Sequence, residues 1–258
     1  MNKPLFLVDL DDTLFQTQRK MTQELGQEPV RVGALDRSLT PRSFMNQKQA
    51  MLVDWLLESS ELIPVTARGT EEIARVEIPF RSWQITTHGA VILQPDGQAD
   101  AGWKKHILDA LAPYTAHLLE LERVCNAVLS EQQVDGWVRI NHEYDDQPVY
   151  LVMKHRNSNH IDETYAVADE VAKRIDLSGY YVHRNGNNIA WLPHCIEKGK
   201  ATEYLLKTLQ ETAGTRPVIG LGDSLSDHRF LTLCDFWGMP STSQFATHVH
   251  QSFHQQED

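Results

Sequence analysis

Asp9 and Asp11 close the run Leu5-Phe6-Leu7-Val8, two residues apart, with Thr13 just beyond. An apolar run of this length suits a strand buried on both faces of a parallel sheet. Its end then delivers two carboxylates to the carboxyl edge, where open α/β sheets bind their ligands. Acids this close repel unless a cation lies between them, and Mg2+ is the common partner where carboxylates meet phosphate oxygens. Taken alone, Asp-x-Asp-x-Thr reads equally well as a strand running into an acidic loop.

Three later segments add to that chemistry. Leu62-Ile63-Pro64-Val65 ends on Thr66-Ala67-Arg68, placing a hydroxyl at a second strand end, from which Thr66 can donate to a phosphate oxygen. The following Gly69-Thr70-Glu71-Glu72 reads as a helix start, whose amides favour anions. Val218–Leu221 leads into Gly222-Asp223-Ser224-Leu225-Ser226-Asp227, two acids four residues apart after a glycine that permits a tight turn. Between them, Lys198-Gly199-Lys200 opens an amphipathic segment with Ala201, Leu205 and Leu209 on one face. A lysine at a helix start opposes the helix dipole unless an anion compensates it.

In this order the four segments resemble the motifs of the haloacid dehalogenase superfamily of phosphohydrolases. Asp9-Leu10-Asp11-Asp12-Thr13 is similar to the first motif, Thr66 to the second, Lys198 to the third, and Gly222-Asp223 through Asp227 to the fourth. The resemblance spans nearly the whole chain. It implies an α/β fold with a Rossmann-like parallel-sheet core, a Mg2+ cofactor, and a set of roles. Asp9 would be the nucleophile that forms an aspartyl phosphate, and Asp11 the general acid and then base. Thr66 would orient the phosphate and Lys198 neutralise it. Asp9, Asp11 through its backbone carbonyl, Asp223 and Asp227 would hold the metal. Ser226 stands where many relatives carry Asn, which bears on a hydrogen bond near the phosphate and not on the metal acids. His88-Gly89 occupies a position where relatives often carry Asn-Gly beside the substrate, so His88 is a candidate substrate contact.

Neighbouring residues of similar chemistry read differently. Asp12 is expected to point away from the catalytic pair, as a turn residue. Arg68 either reaches phosphate or pairs with Glu71 or Glu72. Lys200 is the alternative phosphate cation, with the spacing to Gly199 favouring Lys198. His248, His250 and His254 lie in a polar C-terminal stretch that reads as a frayed tail.

The elements that must position these groups follow from periodicity. A strand over 5–9 is followed by a polar connection to residue 44, which in the family resembled would form a flap beside the site. A helix is expected over Asn46–Glu58 with Ala50, Val53 and Leu57 on its buried face, then a strand over 62–65, a helix near 70–76 and a strand over 84–87. Alternating strands and helices imply a parallel sheet covered on both faces.

Residues 91–193 break that rhythm. A helical pattern runs from about Trp103 to Val124, interrupted near Pro113, with Ile107, Leu111, Leu118 and Leu121 buried. Strands follow over Trp137–Asn141 and Val149–Lys154, then a helix over Asp162–Ile175 with Ile161, Tyr165, Ala168, Ala172 and Ile175 on one face. Strands over Tyr180–Arg184 and Asn188–Leu192 flank Asn185-Gly186-Asn187, a hairpin signal. Inserted between the second and third motifs, this αββαββ order resembles the C2-type cap of the Cof-type or IIB branch, which includes sucrose-phosphate, trehalose-phosphate and mannosyl-3-phosphoglycerate phosphatases. The expected organisation is a core of residues 1–90 and 194–258 and an α+β cap of residues 91–193. The cap strands supply Arg139, His142, Lys154, Arg184 and Asn187, of which Arg184 and Lys154 are the foremost candidates to read the substrate.

At 258 residues the chain can bury a large core, and its formal charge of −11 argues against a nucleic-acid or anionic-membrane surface. Cys125, Cys195 and Cys234 are odd in number and widely spaced, which fits a reducing cytoplasm. Met-Asn-Lys-Pro leads straight into an expected core strand, so no signal peptide is expected. The expected protein is a cytoplasmic Mg2+-dependent phosphatase, monomeric or homodimeric, acting on a small phosphorylated metabolite such as a sugar phosphate. The alternatives are a phosphomutase of the same fold and a non-catalytic binder of phosphorylated ligands.

Overall fold

A computed structural model describes residues 3–157, 159–184 and 186–254. In chain order the elements begin with β1 (Leu5–Val8), β2 (Gln16–Thr17), β3 (Arg31–Leu35), β4 (Pro41–Met45), α1 (Gln47–Ser59), β5 (Glu61–Pro64), α2 (Thr70–Ile73), β6 (Gln84–Thr86) and β7 (Val91–Leu93). Then come α3 (Ala101–Leu111), α4 (Thr115–Glu131), β8 (Gly136–Glu143), β9 (Gln147–His155), α5 (Ile161–Arg174), β10 (Tyr180–Arg184) and β11 (Ile189–Pro193). The chain closes with α6 (Lys198–Ala213), β12 (Val218–Leu221), α7 (His228–Leu231), β13 (Phe236–Gly238) and α8 (Gln244–His254). Two compact units result, one of Met1–Trp103 with Glu197–Asp258 and the other of Lys104–Ile196.

The first unit is built on a parallel sheet in the order β13-β12-β1-β5. Every residue of β1 is buried, as its unbroken apolar run requires of a strand with neighbours on both sides and cover on both faces. Phe6 and Val8 join Ala50, Val53 and Leu56 of α1 in one core cluster, while Leu5 and Leu7, equally buried, alternate to the other face. The chain leaves β1 for β5 on one side and later returns through β12 on the other, so the carboxyl end of β1 is the point where the strand order reverses. That is where an open α/β sheet leaves a crevice for ligands.

Several local expectations change here. Asn46 caps α1 in a reciprocal capping box with Gln49, and the buried face is Ala50, Val53 and Leu56, with Leu57 only half-buried. The connection after β1 is not irregular. It forms a three-stranded antiparallel sheet in the order β2-β4-β3, too short and polar per strand to announce itself by periodicity. β6 pairs antiparallel with β7, joined to the end of β5 through a single bridge between Val65 and Ile85. The C-terminal histidines His248 and His250 lie on α8, a helix and not a frayed tail, anchored by buried Phe245 and Ala246.

The second unit is an antiparallel sheet, β10-β11-β9-β8, covered on one face by α4 and α5. Pro113 falls in a single 3-10 turn, Ala112–Tyr114, that separates α3 from α4. Ile107, Leu111, Leu118 and Leu121 are fully buried. The buried stripe of α5 is Thr164, Val167, Ala168 and Val171, rotated from the expected face, so that Ala172 is exposed and Tyr165 and Ile175 pack at the edge of the cluster. β10 and β11 pair as a hairpin; Asn185 of the expected turn signal lies outside the described residues.

Candidate active site

Three strand ends of the parallel sheet deliver the groups that the sequence singled out. Asp9 follows β1 directly, its backbone N–H bonded to the carbonyl of Leu221 at the end of β12 (2.9 Å), and it is buried. The turn after β12 carries Asp223 and Asp227. A Cβ at Gly222 would lie 2.7 Å from Cβ of Asp227, so only glycine lets this turn fold back upon the acid it presents. Ser224 fixes Asp227 by donating to Oδ2 from its backbone N–H (3.0 Å) and its hydroxyl (2.8 Å). Ser226 Oγ lies 2.7 Å from Ser224 Oγ, so the residue standing in place of Asn is coupled to this turn through a hydroxyl pair.

Lys198 begins α6 and is buried. Its Nζ donates to Asp9 Oδ1 and to Asp227 Oδ1, both at 2.6 Å, so the lysine that opposes its own helix dipole is compensated by two carboxylates. Lys200, two residues on, is exposed. Position 89 explains how α6 reaches so close. Gly89 has φ +96°, and a Cβ there would lie 2.5 Å from the carbonyl oxygen of Glu197 and 3.0 Å from the nitrogen of Lys198. The helix start therefore packs on bare backbone, a requirement that the sequence signals only as a glycine after His88. His88 itself is half-buried with φ 55°, a conformation uncommon for a residue with a side chain, and its N–H donates to the carbonyl of Thr66 (3.1 Å).

Asp9, Asp223 and Asp227 each offer a carboxylate oxygen within 4.8 Å of the others. Lys198 bonds to two of the three acids, and the electrostatics records a shortfall of positive charge. Burial, opposed by Lys198 but aided by Asp227 and Asp223, pushes Asp9 well above the usual carboxylate range. Burial followed by Asp227 and Asp12 pushes Asp223 up to about 7. Burial acts in the same direction on Asp227, but Lys198 and the Ser224 donors outweigh it and hold this acid low. An all-oxygen donor set with excess negative charge fits a hard divalent cation such as Mg2+. The carboxylate of Asp11 is not one of the three. Its side chain turns to Arg68, so of the expected ligands Asp11 keeps at most its backbone carbonyl.

That pair was not legible in the sequence. Arg68 donates from Nε to Asp11 Oδ2 (2.8 Å) and from Nη2 to Oδ1 (2.7 Å). Neither expected partner is used: Glu71 pairs with Arg75 (3.0 Å), and Glu72 accepts from the Gly69 N–H (3.2 Å). Thr66 is buried at the end of the β5 segment, its Oγ1 accepting from the Arg68 N–H (3.1 Å), which leaves its own O–H available as a donor. Asp12, with φ 64°, pairs with Lys20 (2.8 Å), and its charge also acts on Asp223.

In the second unit the candidate substrate residues divide by face. Val138, Ile140, Leu151 and Met153 pack on the helices, so Arg139 and Lys154 project from the opposite face of the sheet. Arg139 lies over the ring of Trp137, with 5.9 Å to the centroid. Arg184 corrects the expectation. It stands opposite Ile189 in register, on the helix face, bonded to Asp169 of α5 (2.6 Å) and over the ring of Tyr165, so it does not share a face with Lys154. Asn187 is occupied in holding both the N–H and the carbonyl of His155, each at 2.7 Å, and His142 is exposed.

No protein-family model and no curated protein matches the chain by sequence. Solved structures do match it. A trehalose-6-phosphate phosphatase related protein shares 16% identity over 98% of this chain and 99% of its own, with a TM-score of 0.51. A haloacid dehalogenase-like hydrolase from Bacteroides thetaiotaomicron shares 11% over 92% and 94%, with a TM-score of 0.50. The chain has the haloacid dehalogenase fold. The C-terminal domain of trehalose-6-phosphate phosphatase from C. albicans has the same fold, with 16% identity over 90% of this chain and 73% of that one, at a TM-score of 0.52. Within the haloacid dehalogenase fold of this chain, the carboxyl edge of the parallel sheet is where Asp9, Lys198, Asp223 and Asp227 meet. Among the described residues no helix is long and apolar enough to cross a membrane.

Proposed function

We propose that the protein is a Mg2+-dependent phosphatase that hydrolyses a small phosphorylated metabolite, of the sugar-phosphate class, through an aspartyl phosphate on Asp9. The observation that carries this reading is Lys198, buried at 2.6 Å from both Asp9 and Asp227 with Asp223 alongside. A buried lysine bridging acids from two strand ends is costly to keep unless it serves chemistry. That the relatives in fold include phosphatases of phosphorylated sugars supports the substrate class.

Asp9, Asp223 and Asp227 would hold the metal, which when bound offsets charge on the acids and on the transferring group. An oxygen of Asp9 attacks phosphorus in line, forming a bond to phosphorus as the bond to the leaving oxygen breaks. Lys198 fixes the orientation of Asp9 and supplies positive charge beside the phosphoryl oxygens. Thr66 donates its O–H to one of those oxygens. Asp11 gives a proton to the departing oxygen and then takes one from the water that releases phosphate. On the second unit, the sheet face bearing Arg139 and Lys154 is assigned to reading the leaving group.

Release of inorganic phosphate from a panel of sugar phosphates and nucleotides tests the reading. Turnover should vanish on exhaustive chelation with EDTA and return with added Mg2+. Full activity after chelation defeats the metal assignment. Transfer of phosphate to a second hydroxyl of the sugar without release makes the protein a phosphomutase, and binding without turnover makes it a phospho-ligand receptor.

A further inference from the structure

We infer that Arg68 is the positioning residue of the acid–base carboxylate, holding Asp11 through Nε and Nη2 while its remaining Nη1 serves a phosphate oxygen. The inference rests on the phosphatase reading and deepens it, by joining phosphate binding to leaving-group protonation through one guanidinium.

Arg68 is held on every side. Its N–H bonds to Thr66 Oγ1 (3.1 Å), its carbonyl accepts from the Thr87 N–H (2.7 Å), and its guanidinium lies over the ring of Phe15, 5.1 Å from the centroid. Phe15 is fully buried, so this platform is held by packing. The side chain of Arg68 is 17% exposed against 49% for Asp11, which makes the arginine the fixed partner and the aspartate the one being aimed. Both oxygens of Asp11 are engaged, which is the ionised form that takes a proton from water, and a two-bond fork fixes its plane as one bond cannot; when Asp11 carries the proton for the leaving oxygen it keeps one bond of the fork and turns its hydroxyl from the other to that oxygen. Nη1 makes no hydrogen bond among the described residues. Attraction from Asp9 also acts on the guanidinium, consistent with its lying close to the attacked phosphate. A partly exposed pair adds at most about 1 kcal/mol to folding, too little to explain an arginine anchored at four points.

The role predicts a split in kinetics. p-Nitrophenol departs as a stabilised anion, whereas the alkoxide of glycerol 3-phosphate needs a proton as it leaves. In the full-length protein, Arg68→Ala should lower kcat for glycerol 3-phosphate by roughly tenfold to a hundredfold, a share of the total usual for acid–base catalysis. It should change kcat for p-nitrophenyl phosphate by less than about threefold, while raising KM for both esters alike, since both carry the phosphate that Nη1 meets. Arg68→Lys, which keeps the charge and loses the fork, should restore KM but not the lost kcat. In an Asp11→Asn background, Arg68→Ala should add no further selective loss. Equal losses of kcat on both esters, or a selective loss that persists without Asp11, would overturn the inference.

A second readout does not depend on turnover. The Nε–H resonance of Arg68, identified by its absence in Arg68→Lys, should be protected from exchange in the wild-type protein, lose that protection in Asp11→Asn, and shift on addition of inorganic phosphate. A wild-type protein that cleaves neither ester defeats the phosphatase reading. The pairing is then judged by this resonance, and an Nε–H that exchanges freely in the wild type overturns it.

Discussion

Charged residues are handled in opposite ways at the carboxyl edge of the parallel sheet and on the antiparallel sheet of the second unit. At the parallel edge, Lys198, Asp9 and Asp227 come from distant points in the chain and are almost wholly removed from water. On the second unit, Arg184 with Asp169 and Arg174 with Glu170 and Glu131 are ion pairs of largely or partly exposed side chains. Exposed pairs contribute about 0–1 kcal/mol each and tolerate loss, whereas a buried pair missing one member leaves an uncompensated charge and costs about 3–5 kcal/mol. The same residue types therefore mark chemistry in one region and surface in the other, and burial is what separates them.

The contrast is broken most directly at Lys198. Lys198→Met should remove phosphatase activity and lower the unfolding free energy by about 3–5 kcal/mol, because Asp9 and Asp227 are left facing each other. Urea denaturation of the metal-free protein measures this, and a cost no larger than that of an exposed pair would refute the distinction between the two regions. Adding Asp9→Asn to that variant should recover part of the lost stability by removing one of the two stranded charges.

Asp9→Asn alone isolates chemistry from folding. An amide of nearly the same shape keeps the packing but does not attack phosphorus, so turnover should fall roughly a thousandfold or more, about 4 kcal/mol of transition-state stabilisation. A folded, purified variant that turned over at the wild-type rate would strip Asp9 of its assigned role.

The second unit should respond far less. If the sheet face away from α4 and α5 reads the leaving group, Lys154→Ala should raise KM for the true substrate about tenfold, roughly 1.4 kcal/mol, and leave p-nitrophenyl phosphate unaffected. Equal effects on both esters would move specificity to another part of the protein, with the three-stranded sheet of β2, β3 and β4 the next to examine. Arg184→Ala, on the helix face, should leave KM unchanged for both and cost no more than about 1 kcal/mol of stability. A KM effect from Arg184 as large as that from Lys154 would erase the division by face.

What the sequence by itself determined are the features whose cause is local. The apolar run before Asp9, the interruption at Pro113, the αββαββ order and the acids at the ends of β1 and β12 follow from periodicity, turn chemistry and residue type, and these bring Asp9, Thr66, Lys198, Asp223 and Asp227 to one edge. The stripe of α5 lay at the margin of what periodicity resolves, since a rotation of one residue still leaves apolar side chains on the buried side. Only the tertiary structure decided the partners. Arg68 lies 57 positions from Asp11 but three and four from the glutamates that local spacing favours, and it takes the distant acid because β1 and β5 lie side by side in the sheet. Gly89 is required by the backbone of Glu197, more than a hundred positions away, and Arg184, set on the helix face by its register with Ile189, meets an aspartate of the preceding α5. Periodicity places a side chain on a face of its own element. Which charge waits there is set by the packing of elements whose sequence separation carries no signal, because contact across a fold is fixed by topology and not by distance along the chain.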